Sequence, residues 1–483
     1  MARLLLLRRN TMQRSVQEQI PEQIFRNRYK IMLVVLTGIL MSVLDGTVTN
    51  IALPTITSYF SVDVALSQWT ITGYLLTLTS LLLIFGKISE RTGKIPLFIT
   101  GFTIFTVSSL ACGLSPTLPT LIGFRILQAI GGAMVFSISG AILFQAFPVD
   151  ERGRAMGYIG STVAVGSIMG PVLGGFLVST LGWRYIFLIN VPIGAVAILT
   201  SFKYLRMPEI KMVQANFDWA GALALITAMI SLVACIGELA DTAAITLPEL
   251  ALAIIFTTAV TAFIWIERHT KSPLLDLEVF RIKHFTLPCV SMLLYFVGSF
   301  TMNVVGPFYL EGVMGFRPDQ VGMFFLIVPV IMVIGAPIGG WLYDKRRSKY
   351  YSTTGMLLIT VAMFIYACAA YLVSVPLMLA GMVLIGIGGA LYQSPNNTEL
   401  MSALPRQKLG IASSVSSTVR NLGMTLGTSL AILLVTLQFS LAGYTGPVIN
   451  ADRSLLIATI AITMSIGGLI CLGSAIVSLL RNI

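Results

Sequence analysis

Asp45 and Arg125 carry charge where the residues around them do not, and Arg420 is the other arginine inside a predicted helix. Asp45 lies in Leu-Asp-Gly-Thr-Val-Thr-Asn-Ile-Ala-Leu-Pro, residues 44–54, within an apolar run that extends from Ile31 to Phe60. Arg125 opens Arg-Ile-Leu-Gln128, inside another apolar run, and Gly131-Gly-Ala133 follows it. An ionised side chain at the centre of a membrane helix costs about 2.5–3.5 kcal/mol on insertion scales. Such a group therefore faces a cavity, finds a partner or, if it is a carboxyl, takes a proton. Asp45 is the leading functional candidate, and Arg125 needs a partner. The competing reading makes Asp45 a structural carboxylate, hydrogen-bonded to a neighbouring helix as Thr47 and Asn50 would be.

The elements that hold these groups are membrane helices. The chain has 483 residues, of which 56% are hydrophobic and 11% charged, with a mean hydropathy of +0.89; soluble domains carry about 25% charged residues. Fourteen apolar stretches of spanning length run from 31–59 to 454–480. Nearly all of the 31 Lys and Arg residues fall in alternate connecting segments, which puts both termini on the cytoplasmic side. The outer loops carry only Arg184, Arg317 and Arg453, so the net charge of +11 is a topology signal and gives no reason to expect a nucleic-acid partner. The five cysteines lie in predicted spans without C-x-x-C spacing, which suggests neither disulfides nor a metal site.

The second half echoes the first. Asn50 and Pro54 recur as Asn303 and Pro307, and Gly86 and Glu90 recur as Gly340 and Asp344. Pro148, Gly153, Gly166 and Gly170 recur as Pro405, Gly410, Gly423 and Gly427. The expected organisation is all-α: two parallel six-helix bundles with two extra helices between them. It divides the chain into a cytoplasmic segment 1–30, a bundle 31–205, an insertion with its linkers 206–283 and a bundle 284–483.

Gly86-Lys-Ile-Ser-Glu-Arg-Thr-Gly-Lys94 reads as a tight cytoplasmic turn, with Gly86 and Gly93 supplying the sharp geometry and Glu90 and Arg91 free to pair with other helix ends. Gly166 and Gly170 form a G-x-x-x-G packing face, Pro171 invites a kink, and Gly174 continues the small-residue run. Gly86–Lys94 resembles the cytoplasmic signature of the major facilitator superfamily, G-x-x-x-D-R-x-G-R/K, with Glu90 in place of Asp. Leu44–Pro54, Arg125–Ala133 and Gly166–Gly175 resemble the first-, fourth- and fifth-helix motifs of its fourteen-span drug:proton antiporter branch. Ala129, Ile95 and Glu311 depart from the usual Gly, basic residue and Gln.

That resemblance implies proton coupling through Asp45 and Arg125, a bend at Gly166, Gly170 and Pro171, and conformational gating by Gly86, Glu90, Arg91, Gly93 and Asp344. Asn50, Gln128, Asn303 and Glu311 are candidates for a substrate cavity. Glu311 reads either as a boundary residue in water or as a second acid that favours cationic substrates. Along ideal helices Asp45 is roughly 21 Å from its inner end and Arg125 roughly 10 Å from its outer end, so direct pairing needs tilt, a long reach, or a bridge by water or Gln128.

The function implied is proton-coupled export of amphipathic, cationic drugs from the cell membrane by alternating access, by a monomer without a cofactor. An exporter or flippase of an endogenous lipid, glycolipid or other amphiphile is the alternative. No G-x-x-x-x-G-K-[ST] loop occurs, which argues against ATP as the energy source. A membrane enzyme needs a polar cluster at one face, and the two histidines, His269 and His284, flank a basic loop without ligand spacing. A channel needs rings of like charge that the sequence lacks.

Overall fold

The computed structural model describes residues 21–209, 217–242, 246–270, 272–348, 350–444 and 451–481. Among them are fourteen helices long and apolar enough to cross a membrane: α1 Glu22–Phe60, α2 Trp69–Thr92, α3 Lys94–Gly113, α4 Leu118–Ala146, α5 Arg152–Thr180, α6 Tyr185–Tyr204, α7 Trp219–Leu239, α8 Leu247–His269, α9 Lys283–Val313, α10 Gln320–Arg346, α11 Tyr351–Leu372, α12 Val375–Ser402, α13 Arg406–Leu441 and α14 Arg453–Leu480. The chain is an all-α membrane protein of two parallel six-helix bundles, α1–α6 and α9–α14, with α7 and α8 between them.

Two local expectations are corrected. Helix α1 begins at Glu22, ahead of the expected Ile31, because its polar first turns have somewhere to dock. Arg28 pairs with Glu151 at 3.0 Å and stacks on Phe25 and Tyr29. The first twenty residues of the expected cytoplasmic segment lie outside the described residues. Gly86 does not turn the chain, since α2 runs through it to Thr92. Gly93 alone makes the turn, at φ +101°, a conformation that favours glycine.

The bundles repeat one packing scheme. α3 crosses α4 and α11 crosses α12 at paired glycines, where no side chain fits: a Cβ on Gly131 would stand 2.7 Å from the Gly101 carbonyl, and one on Gly388 2.7 Å from that of Gly355. α1 packs on α5 as α9 packs on α13. Between the bundles α5 lies along α10, and α13 along α2. α7 touches both α2 and α13, so the inserted pair rests across a seam between the bundles. Its buried face is the stripe Ala222, Leu225, Ala228 and Ser231, at helical spacing.

The bundles meet at the Lys/Arg-rich end. There Ser394 donates to the Gly153 carbonyl at 2.5 Å and Ser161 to that of Val333 at 2.8 Å. Backbone also approaches backbone closely, with a Cβ on Gly157 falling 2.8 Å from Pro337 Cα.

Candidate functional site

Helix α4 sets the site. Thr117 caps its start, accepting the Thr120 N–H, and Pro119 fits the first turn, where no amide partner is needed. Two turns further on, Arg125 and Gln128 are three residues apart and so share one face. On α1, Ser42, Asp45, Thr49 and Ala52 form the buried face that meets them.

Arg125 is 0% exposed and Asp45 3%, and the Arg125 Nη1 hydrogen-bonds directly to Asp45 Oδ2. No bridge is required, although Gln128 also joins them: it accepts from Arg125 Nη1 at 2.7 Å and donates to Asp45 Oδ1 at 2.9 Å. Asn190 of α6 donates to the same Oδ1 at 3.3 Å. Arg125 Nε donates to the Thr70 carbonyl of α2 at 3.0 Å, and the guanidinium lies 4.1 Å from the Tyr74 ring centroid. Ser109 of α3 accepts from Gln128 at 2.6 Å. Five helices of one bundle thus hold one ion pair.

Chemically, the cluster joins one carboxylate to one guanidinium and two side-chain amides. An ionised Asp45 satisfies donors from Arg125, Gln128 and Asn190 at once, whereas a protonated Asp45 gives up the ion pair. Arg125 Nη2 has no hydrogen-bond partner among the described residues. Removing either charge alone leaves the other buried without compensation, a loss of about 3–5 kcal/mol.

A second set of residues joins the bundles. Asp344 of α10 accepts the amide N–H groups of Gly153 and Arg154, both at 2.8 Å, at the start of α5. Its carboxylate therefore faces the positive end of the α5 dipole. The repeat-related contact places Glu90 of α2 at the start of α13, where a Cβ on Gly410 would lie 3.4 Å from Glu90 Cγ. Gly86 is needed for this approach, because its Cβ would overlap Ser414 and stand 3.0 Å from the Gly410 carbonyl. The ionic partner of Glu90 is Lys87 on its own helix, at 3.7 Å, and Arg91 makes no ion pair or hydrogen bond among the described residues. Glu90 thus lies against the start of another helix, whereas Arg91 pairs with no helix end among the described residues. Beside Gly93, the Ile95 N–H donates to Glu209 at 2.5 Å.

Gly166 and Gly170 receive α1, their missing Cβ atoms making room for Val43 and Thr47, and Gly174 lies against Val48. α5 continues through Pro171. The cavity candidates separate. Gln128 is 0% exposed and spent on the ion pair, not on an open surface. Asn50 and Asn303 are exposed, and their amides have no hydrogen-bond partner among the described residues. Glu311 is half-buried in a π-helical turn, Tyr309–Val313, at the end of α9 away from the basic face. Asn190, Ser109 and Tyr74 were not expected at the site. An Asn inside an apolar span was the available signal for Asn190; Ser109 and Tyr74 offered none.

Residues 35–428 match the family described as Major Facilitator Superfamily. The chain is 32% identical to the riboflavin transporter RibZ of Clostridioides difficile (strain 630), across 84% of this chain and 87% of that one. It is 29% identical to the multidrug resistance protein Stp of Mycobacterium tuberculosis (strain ATCC 25618 / H37Rv), across 83% of this chain and 75% of that one. Among solved structures, the proton:xylose symporter XylE superposes with a TM-score of 0.65 at 15% identity, covering 93% of this chain and 95% of that one, a likeness of fold.

Proposed function

The chain belongs to the major facilitator superfamily, and we propose that it acts there as a proton-coupled antiporter that exports amphipathic small molecules by alternating access. The observation that carries this reading is the buried Asp45–Arg125 pair, enclosed by Gln128 and Asn190. A carboxylate with a fixed guanidinium partner can exchange its proton for the ion pair. Protonation then changes how α1, α4 and α6 hold together. The driving force is adequate: a proton crossing 100 mV releases about 2.3 kcal/mol, which sustains a substrate gradient of roughly fiftyfold.

Asp344 and Glu90, with Gly86 and Gly93, are assigned to closing the bundles at the basic end, and Gly166, Gly170, Pro171 and Gly174 to the α1–α5 contact that must survive rocking. Asn50, Asn303 and Glu311 are assigned to the substrate path. The Lys/Arg distribution supports a cell-membrane protein with both termini cytoplasmic, and we take the working unit to be a monomer with divisions at 31–205, 206–283 and 284–483.

A second reading is export of an endogenous amphiphile, favoured by the similarity to a protein named for riboflavin. The test is transport in proteoliposomes with an imposed pH gradient. Export of a multidrug probe or of riboflavin that collapses with the gradient supports the reading and tells the two substrates apart. Uptake that ignores the gradient, with Asp45→Asn equal to wild type, overturns the coupling.

A further inference from the structure

The membrane interior holds a second arginine whose situation is the reverse of Arg125. Arg420 stands about 16 Å along α13 from Leu409, at about 1.5 Å per residue, too deep for its side chain to reach either end of the helix. Its guanidinium lies 5.5 Å from the ring centroid of Phe136, which belongs to the other bundle. Among the described residues it makes no hydrogen bond and no ion pair. Asp45, the acid deepest in the first bundle, is already held by Arg125.

Arg420 lines a small cavity of about 20 Å³ between the bundles, together with Phe136, Ser139, Asn397, Ser413 and Ser416. That is room for one water. The cavity lies between α1, α4 and α5 on one side and α12 and α13 on the other, where the bundles must part if the basic end opens. Opening would enlarge it and leave the guanidinium facing the gap. The Phe136 ring engages the cation without consuming any of its N–H donors, and Asn397 and Ser416, bonded to each other at 3.2 Å, add further polar groups.

We propose that Arg420 anchors a substrate site between the bundles for an amphiphile whose head accepts hydrogen bonds, either a carboxylate or the carbonyls of a flat ring. The proposal rests on the transporter reading above and deepens it. It runs against a cavity selecting lipophilic cations, since a cation would meet an unneutralised guanidinium at the seam.

The test is equilibrium binding to the full chain in nanodiscs, with fluorescein as anionic probe, riboflavin as neutral carbonyl-bearing probe and ethidium as cation. Arg420→Gln should weaken fluorescein at least tenfold and leave ethidium within twofold. Arg420→Lys, which keeps charge but loses the planar fork, should retain fluorescein within a few-fold. A parallel loss of riboflavin in both variants marks carbonyls as sufficient, whereas loss of fluorescein alone marks a required negative charge. Wild-type protein that binds only ethidium, or none of the three, overturns the proposal, as does unchanged fluorescein binding by both variants. Gradient-driven export of ethidium together with fluorescein binding unchanged by Arg420→Gln would sink this site and leave the antiporter reading standing. Arg420-dependent binding without any gradient-driven transport would do the opposite.

Discussion

Asp344 and Gly153 belong to different bundles, and the carboxylate of one accepts the backbone N–H of the other at 2.8 Å while its second oxygen takes Arg154 N–H. The contact is a helix cap supplied from outside the helix. Caps and dipole contacts of this kind are worth about 0.5–2 kcal/mol, so Asp344→Asn should shift the protein several-fold or more toward the state open at the basic end. Spin labels on the ends of α5 and α10 should report a longer distance, with turnover changed and substrate affinity within a few-fold. An unchanged distance distribution would remove Asp344 from the latch.

Asp45→Asn keeps the size of the side chain but cannot release a proton. It should lower the melting temperature, because Arg125 loses its counter-charge, while keeping the helices assembled, and it should abolish the pH dependence of transport. Arg125→Ala should be worse for folding, because it strands Asp45 in the bundle at about 3–5 kcal/mol, and Arg125→Lys should retain part of the activity. Adding Asp45→Asn to Arg125→Ala should recover much of the lost thermal stability without recovering coupling. Melting temperatures and pH-jump exchange on the four variants check this; an Arg125→Ala protein that exchanges normally would exclude the pair from the relay.

Glu311 is half-buried beside fully buried Tyr309 and Leu310, with no partner of its own among the described residues. If it attracts substrate at the entrance, Glu311→Gln should weaken export of divalent lipophilic cations more than monovalent ones and leave neutral substrates alone. Equal export of all three classes would return Glu311 to a boundary role.

Asp276, in the connection from α8 to α9, accepts at 2.5 Å from Lys408 in the first turn of α13. Partial burial raises its pKa, but the Lys408 and Glu278 hydrogen bonds outweigh this and hold the carboxyl below the usual carboxylate range. A depressed folded value means that the contact stabilises above the unfolded pKa and is lost as pH falls through the folded one. Asp276→Asn should cost about 0.2–1 kcal/mol at neutral pH, and the difference from wild type should vanish on acidification. Parallel melting curves at pH 7 and at pH 3 would contradict the clasp.

The fourteen helices were legible because each is a long apolar run with charged ends, a pattern that burial in lipid enforces residue by residue. Asp45 and Arg125 were legible for the same reason, since an isolated charge in such a run stands out. Their partners were less so. Ser109 and Tyr74 look like ordinary membrane-helix residues, and only the crossing of α2, α3 and α4 brings them to the ion pair. Gly86 was read as a turn because glycine permits one. In the fold it serves close approach to α13, a distinction set by a neighbour more than three hundred residues away in the chain. The polar start of α1 was missed because Glu22 to Lys30 resemble a solvent-exposed tail until Glu151 is there to receive Arg28.

In the proposed alternating-access cycle, the position of α7 ties the opening of the basic end to the bilayer itself. α7 rests on both α2 and α13, the helices that carry Gly86 and Gly410. When those glycines separate, α7 must abandon one of the two, and its buried stripe from Ala222 to Ser231 loses part of its protein cover. Acyl chains then have to flow into the opened crease. The ease of switching would therefore track how readily the surrounding lipid fills a groove lined by alanine, so stiff, tightly ordered membranes should slow the cycle even with every proton-handling residue in place.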